Sequence, residues 1–144
     1  MFKAVRAPAP PAFLRSVLQR SVRVPEVEAR QPAGTATLAV RLTSDDELRR
    51  LNRDFAGLDS VTDVLSFTGS DQHVGDLAIS WPMAVRQALE HGHPEQTELG
   101  LLSVHGLLHL LGWDHATVAE RREMSRLTVS ALALSGLRLA PGRL

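Results

Sequence analysis

The sequence contains no cysteine and no tyrosine, a single lysine, no excess of either charge and no long apolar run. Without cysteine there is no disulfide framework and no thiolate metal site, and the absence points to a reducing compartment. Lys+Arg and Asp+Glu each number 16, so bulk charge cannot hold the chain to a nucleic acid or an anionic membrane. Any such contact needs a local patch. No stretch approaches the ~20 apolar residues of a membrane span, and Arg138 interrupts the most apolar tail. Aromatic residues make up 4%, too few for an extended platform on which single-stranded bases stack. The first 25 residues hold arginines and no acid, as transit peptides do, but Pro8, Pro10 and Pro11 interrupt a long amphipathic helix.

What is present suits a single core. With 144 residues, 44% hydrophobic and 22% charged, the expectation is one domain spanning residues 1–144. Net charge is +4 over residues 1–30, −6 over 31–100 and +2 over 101–144. A basic first part beside an acidic middle could cradle a polyanion, although solvated helix faces give the same sums. Arginine supplies 15 of the 16 cations, and its fork suits phosphate better than an ammonium does.

Periodicity and punctuation give a coarse map. Phe2–Arg6 is a short strand candidate; Phe13, Leu14, Val17 and Leu18 then recur at helical spacing. Thr35–Leu42 alternates and is β-branched, so it reads as a strand. Ser44 opens a helix with Glu47 completing a capping box. Asp63–Thr68 and Val74–Ser80 are two more strands, and Pro82 suits the first turn of a helix towards His91. From about Pro94 a helix apolar on more than one side should be buried. Gly112 stops it, and Thr117 with Glu120 forms a second capping box for a helix to about Leu134. Four strands with four or five helices predict an α+β fold, helices packed on a mixed four-stranded sheet.

The chemistry concentrates in His105-Gly106-Leu107-Leu108-His109-Leu110-Leu111-Gly112-Trp113-Asp114-His115. Residues four apart on a helix lie ~6 Å apart along the axis and ~40° around it, so His105 and His109 present imidazoles on one face. Gly112 can take a positive φ and reverse the chain, returning His115 to a third position. Three neutral imidazoles with one open site describe a catalytic zinc rather than a structural one. One such histidine alone is more often bonded to backbone in a core; the shared spacing of three favours a metal. Metalloproteases of the His-Glu-x-x-His type place a glutamate after the first histidine to take a proton from water. Gly106 stands there instead, which argues against peptide hydrolysis and leaves room beside the metal for a group as large as a phosphodiester.

The segment His105 to His115 resembles the signature of the YbeY family of metal-dependent endoribonucleases. Leu51-Asn52, Asp59, Thr62 to Phe67 and Gly75-Asp76 are similar to that family's other blocks in order and spacing, and the likeness runs from about Val40 to Met124. It implies an α+β fold with a zincin-like metal helix, one Zn2+ per chain on His105, His109 and His115, and a bacterial or organellar setting, here cytoplasmic. It also implies single-strand-specific cleavage near the 3′ end of small-subunit (16S) ribosomal RNA, in maturation and quality control of the ribosome. The implied partners are ribosomal RNA and the small subunit or its assembly factors, with no membrane and no DNA. Between Asn52 and Asp59 the family usually carries Tyr-Arg, and its arginine is held to matter for cleavage. Phe55 and Ala56 stand there, and Val61 replaces the usual proline.

Arg53, one helical turn before Ala56, is a catalytic candidate that could bring its guanidinium to the same point; a solvent-exposed helix arginine is the plainer reading. Asp76, Asp63 and Asp59 are candidates to hold a histidine N–H or carry a proton, although each is also an ordinary cap or turn residue. Asp114 could fix the turn after Gly112, and Thr62 and Ser66 could cap backbone or bind phosphate. Trp81 and Trp113 fit core packing better than base stacking. His73, His91 and His93 lack partners at metal spacing and read as surface or loop residues. Three functions remain: a zinc-dependent endoribonuclease, a metal-stabilised RNA- or ribosome-binding factor with weakened catalysis, and a zinc hydrolase of another ester.

Overall fold

The computed structural model describes residues 2–3 and 11–144. In chain order these form β1 (Phe2–Lys3), α1 (Pro11–Ser21), α2 (Pro25–Ala29), β2 (Thr37–Thr43), α3 (Asp45–Ala56), β3 (Val64–Thr68), β4 (His73–Ser80), α4 (Trp81–His91), α5 (Glu95–Leu110) and α6 (Val118–Ala133). The strands make one sheet in the order β1-β2-β4-β3. β1 and β2 run parallel, as do β2 and β4, while β3 is antiparallel to β4. This is the mixed α+β architecture the sequence predicts, with a two-residue edge strand. The rest of the first predicted strand, to Arg6, lies outside the described residues. The unpredicted helix, α2, has five residues, too few to establish a 3.6-residue period.

The pleat of β4 divides its residues between two helices. Leu77 and Ile79, 1% and 0% exposed, lie on the α5 side, where a Cβ built on Gly106 would come within 2.6 Å of Leu77 Cδ2. Ser66, the cross-strand partner of Leu77, donates from Oγ to the Gly106 carbonyl at 3.4 Å. On the opposite side Phe67 of β3 meets Phe55 of α3 edge-on, ring centroids 5.4 Å apart.

Helix α5 is the hub. Its residues 97–104 and 106–108 are buried, because leucine and valine occur around most of its circumference and every side finds a cover. Leu14 and Val17 of α1, Leu127 and Leu132 of α6 and the inner face of the sheet join it in one core. Each leucine so removed from water contributes roughly 1.5–3 kcal/mol. No helix among the described residues is long and apolar enough to cross a membrane.

The two predicted capping boxes come out differently. Ser44 Oγ accepts the Glu47 amide at 3.2 Å, but the reciprocal bond is replaced. The Glu47 carboxylate takes the Arg50 guanidinium at 2.9 and 2.8 Å and Arg41 at 2.8 Å, charge-assisted bonds that outweigh one backbone amide. Thr117 and Glu120 make both halves of their box, each at 3.1 Å. Thr117→Ala is expected to cost about 1 kcal/mol, read as a lower urea midpoint; an unchanged midpoint would show that α6 does not depend on its cap.

Candidate metal centre

His105 and His109 stand on successive turns at the C-terminal end of α5, their Nε2 atoms 3.1 Å apart in hydrogen-bond contact. Beyond the helix, Gly112 adopts φ 100°, a conformation that costs a Cβ-bearing residue energy. Its N–H donates to the His109 carbonyl and the Trp113 N–H to that of Leu108, each at 3.0 Å. Trp113, 6% exposed, anchors the returning chain. The Arg30 guanidinium lies 3.6 Å above its ring, and its Nε1 donates to Glu123 at 3.3 Å. The chain then delivers His115, whose ring centroid is 4.9 Å from that of His109 and 5.8 Å from that of His105. One ligand nitrogen from each of the three lies within 4.8 Å of the others.

The electrostatics suit a cation. Burial, then the neighbouring His109, pushes His105 down to about 4, with Asp63 opposing. Burial and then His115 lower His109. Both are neutral at pH 7 and have a lone pair to give, the form that metal ligation requires. Two nitrogens ~2.0–2.1 Å from one tetrahedral ion stand ~3.3 Å apart, close to the 3.1 Å between His105 and His109. The His105–His109 pair therefore stands at the spacing of two ligands to a single zinc-sized ion, with a His115 nitrogen within 4.8 Å of both.

The three imidazoles open into a cavity of about 330 Å³, whose lining includes Thr62, Asp63, Ser66, Leu101 and Arg143. Of the sequence candidates, Asp63 is brought to this cavity. Its Oδ1 accepts the Val64 N–H at 2.8 Å and its Oδ2 accepts from Gln87 at 3.4 Å. Asp76 occupies the α3 side of β4, where its Oδ1 meets His73 Nε2 at 3.2 Å. Arg53 is exposed on α3 and pairs with Asp54 at 3.5 Å; neither Asp76 nor Arg53 lines the cavity. Asp59 holds Arg49 through bonds of 2.8 and 3.2 Å. Asp114 fixes the loop by accepting the His115 N–H at 2.7 Å. Gly106 corrects an expectation: it faces Leu77 of the sheet, so its missing side chain serves close packing of helix on strand and makes no room beside the imidazoles.

Sequence reasoning missed the buried cluster of Glu98 and His93 that holds Arg143, which lines the cavity. Glu98 is 0% exposed. Its Oε1 accepts from His93 Nε2 at 2.7 Å and from Arg143 Nε at 3.1 Å, and its Oε2 accepts from Arg143 Nη2 at 2.6 Å. The Ala140 N–H donates to His93 Nδ1 at 3.0 Å. His93, expected at the surface or in a loop, lies in the loop between α4 and α5 with a side chain only 3% exposed, because it joins the final segment to the first turn of α5. Burial alone would raise the Glu98 carboxyl, but hydrogen bonds from Arg143 and His93 and their charge hold it below its ordinary 4.5. A carboxylate lowered in this way stabilises the fold above its ordinary pKa, and the contribution is lost as pH falls through that value towards the folded one. Below about pH 4.5, urea midpoints are therefore expected to fall less steeply for Glu98→Gln than for the wild type. Parallel curves would refute the linkage.

An α+β fold whose central helix ends on two imidazoles a turn apart, with a third returned by the loop beyond, defines a protein able to hold one metal ion at the mouth of a cavity. Residues 10–135 match the family model described as Endoribonuclease YbeY. The chain belongs to the YbeY family. It is 46% identical over 118 residues to an Endoribonuclease YbeY of Gloeobacter violaceus, a match covering 74% of this chain and 60% of that protein, less than two thirds of its length. It is 43% identical over 120 residues to that of Moorella thermoacetica, covering 74% and 77%, and 38% identical over 140 residues to that of a Roseiflexus species, covering 86% and 88%. A solution structure of a Thermotoga maritima protein shares the fold, with a TM-score of 0.59, 22% identity and coverage of 99% of this chain and 100% of that one.

Proposed function

We propose that this chain is an endoribonuclease that holds one zinc ion on His105, His109 and His115 and cuts single-stranded ribosomal RNA. We place its target near the 3′ end of the small-subunit (16S) RNA, in cytoplasmic ribosome maturation and quality control, with the small subunit or its assembly factors as partners. The observation that carries the reading is the convergence of three ring nitrogens within 4.8 Å at an open cavity, in a chain of a family whose matched members are named endoribonucleases. When bound, the zinc supplies Lewis acidity that polarises a phosphoryl oxygen and makes water nucleophilic near neutral pH.

The chain's own residues do the rest. Their neutrality at working pH keeps His105 and His109 available as ligands, and the turn at Gly112 presents His115. Asp63, the one carboxylate side chain among the described residues lining the cavity, accepts a proton from water or from an RNA 2′-hydroxyl in this reading. Its orientation is fixed by the Val64 amide. A second reading, a metal-stabilised RNA-binding factor, is favoured by the α3 terminus. There Phe55 and Ala56 are exposed and Arg53 is engaged with Asp54, so the end of the helix sends no cation to the cavity.

Single-turnover cleavage of a structured small-subunit RNA fragment separates the two readings. The enzyme is expected to cut in zinc and to lose at least ~99% of its rate after chelation, with recovery on adding zinc back. Tight binding without metal-dependent cutting would establish the factor instead.

A further inference from the structure

We propose that Arg143 is a phosphate-binding residue of the histidine cavity, held ready for an RNA phosphodiester by the buried carboxylate of Glu98. The proposal rests on the reading of the cavity as an RNA site and adds a residue that neither the signature nor the spacing of the histidines indicates.

Among the described residues lining the cavity, Arg143 is the only arginine or lysine. The segment after α6 brings it there from the far side of the core. Leu137 packs against α5 so closely that a Cβ on Gly100 would come within 2.8 Å of its Cδ1. Three residues later the Ala140 N–H is fastened to His93, and Arg143 then reaches Glu98 and the cavity.

Glu98 engages Arg143 through Nε and Nη2 at 3.1 and 2.6 Å, the two-point fork that fixes a guanidinium plane. An arginine has five N–H donors, and among the described residues no hydrogen bond is formed by Nη1. The arginine side chain is 16% exposed. A guanidinium already immobilised by the fold loses little further freedom when it takes up an anion. Asp63, on the same lining, contributes one negative charge, which a divalent ion on the imidazoles would more than offset. A phosphodiester lodged there would meet a rigid cation in the same cavity that the three imidazoles line.

A role confined to tying down the final segment predicts different behaviour, and RNA binding distinguishes the two. With zinc-loaded protein, affinity for a short single-stranded RNA is measured by fluorescence anisotropy across a salt series, and affinity for inorganic phosphate by calorimetry. Arg143→Gln is expected to weaken both about tenfold and to flatten the salt dependence of RNA binding by about 0.7 in log–log slope, the share of one lost phosphate contact on a single strand. Arg143→Lys should regain part of the affinity, keeping the charge without the fork. Zinc content should stay at the wild-type level in both.

RNA and phosphate binding by Arg143→Gln with wild-type affinity and slope would overturn the proposal while leaving the endoribonuclease reading intact. Arg143-dependent phosphate uptake by a protein that binds no RNA would support the anion site and sink the RNA reading. Should Arg143→Gln fail to fold because Glu98 loses its partner, the double variant Glu98→Gln/Arg143→Gln pairs two amides in the same place and is read by the same outcomes.

Discussion

Gly106→Glu is expected to destabilise the protein severely rather than make it a protease. The substitution would complete a His-Glu-x-x-His sequence, with His105 and His109 already in place. Yet residue 106 sits against the sheet: a Cβ there meets Leu77 Cδ2 at 2.6 Å and Cδ1 at 3.1 Å, and Leu77 is itself 1% exposed. Overpacking of that kind costs about 1–3 kcal/mol, and a carboxylate carried into the helix–sheet interface without a partner adds a few more. A total of at least ~3 kcal/mol is a large part of the stability of a typical domain. Gly106→Ala should show the overpacking alone, at about 1–3 kcal/mol. Urea unfolding of the three proteins checks this. A Gly106→Glu variant as stable as the wild type would mean that α5 is not seated on β4 as described.

His109→Ala is expected to abolish metal retention and RNA cleavage together. His109 is the middle ring of the three, its nitrogen 3.1 Å from that of His105 and its centroid 4.9 Å from that of His115, and its removal leaves two separated ligands. Losing a partner outside the ligand shell typically lowers metal affinity ~10–100-fold, so losing a ligand itself should exceed that. Elemental analysis should fall from about one zinc per chain to below about a tenth, and single-turnover cleavage should fall at least about a thousandfold. His91→Ala, at a histidine outside the cavity lining, should retain both. Stoichiometric zinc in His109→Ala would dismiss this trio as the ligand set.

What was legible in the sequence was what short range determines. The histidine spacing, the reversal at Gly112 and the Thr117 box are each decided within about ten residues, and the strands and longer helices announce themselves by period. What escaped depends on partners distant in the chain. Glu98 looks like any acid in a first helical turn until Arg143 arrives 45 positions later, and His93 acquires its burial from Ala140. Gly106 was misread for the same reason, since its neighbour Leu77 belongs to a strand. The parity of β4 separates Asp76 from Leu77 in the sequence itself, but which side would carry α5 was not written there.

That parity has a further consequence for how the protein can vary. Because alternate positions of β4 look towards different helices, a substitution at Asp76 or Phe67 reshapes the α3 side while the footing of α5 at Leu77 and Ile79 stays untouched. The sheet positions that face α3 can thus change while α5 keeps its seat on the strand.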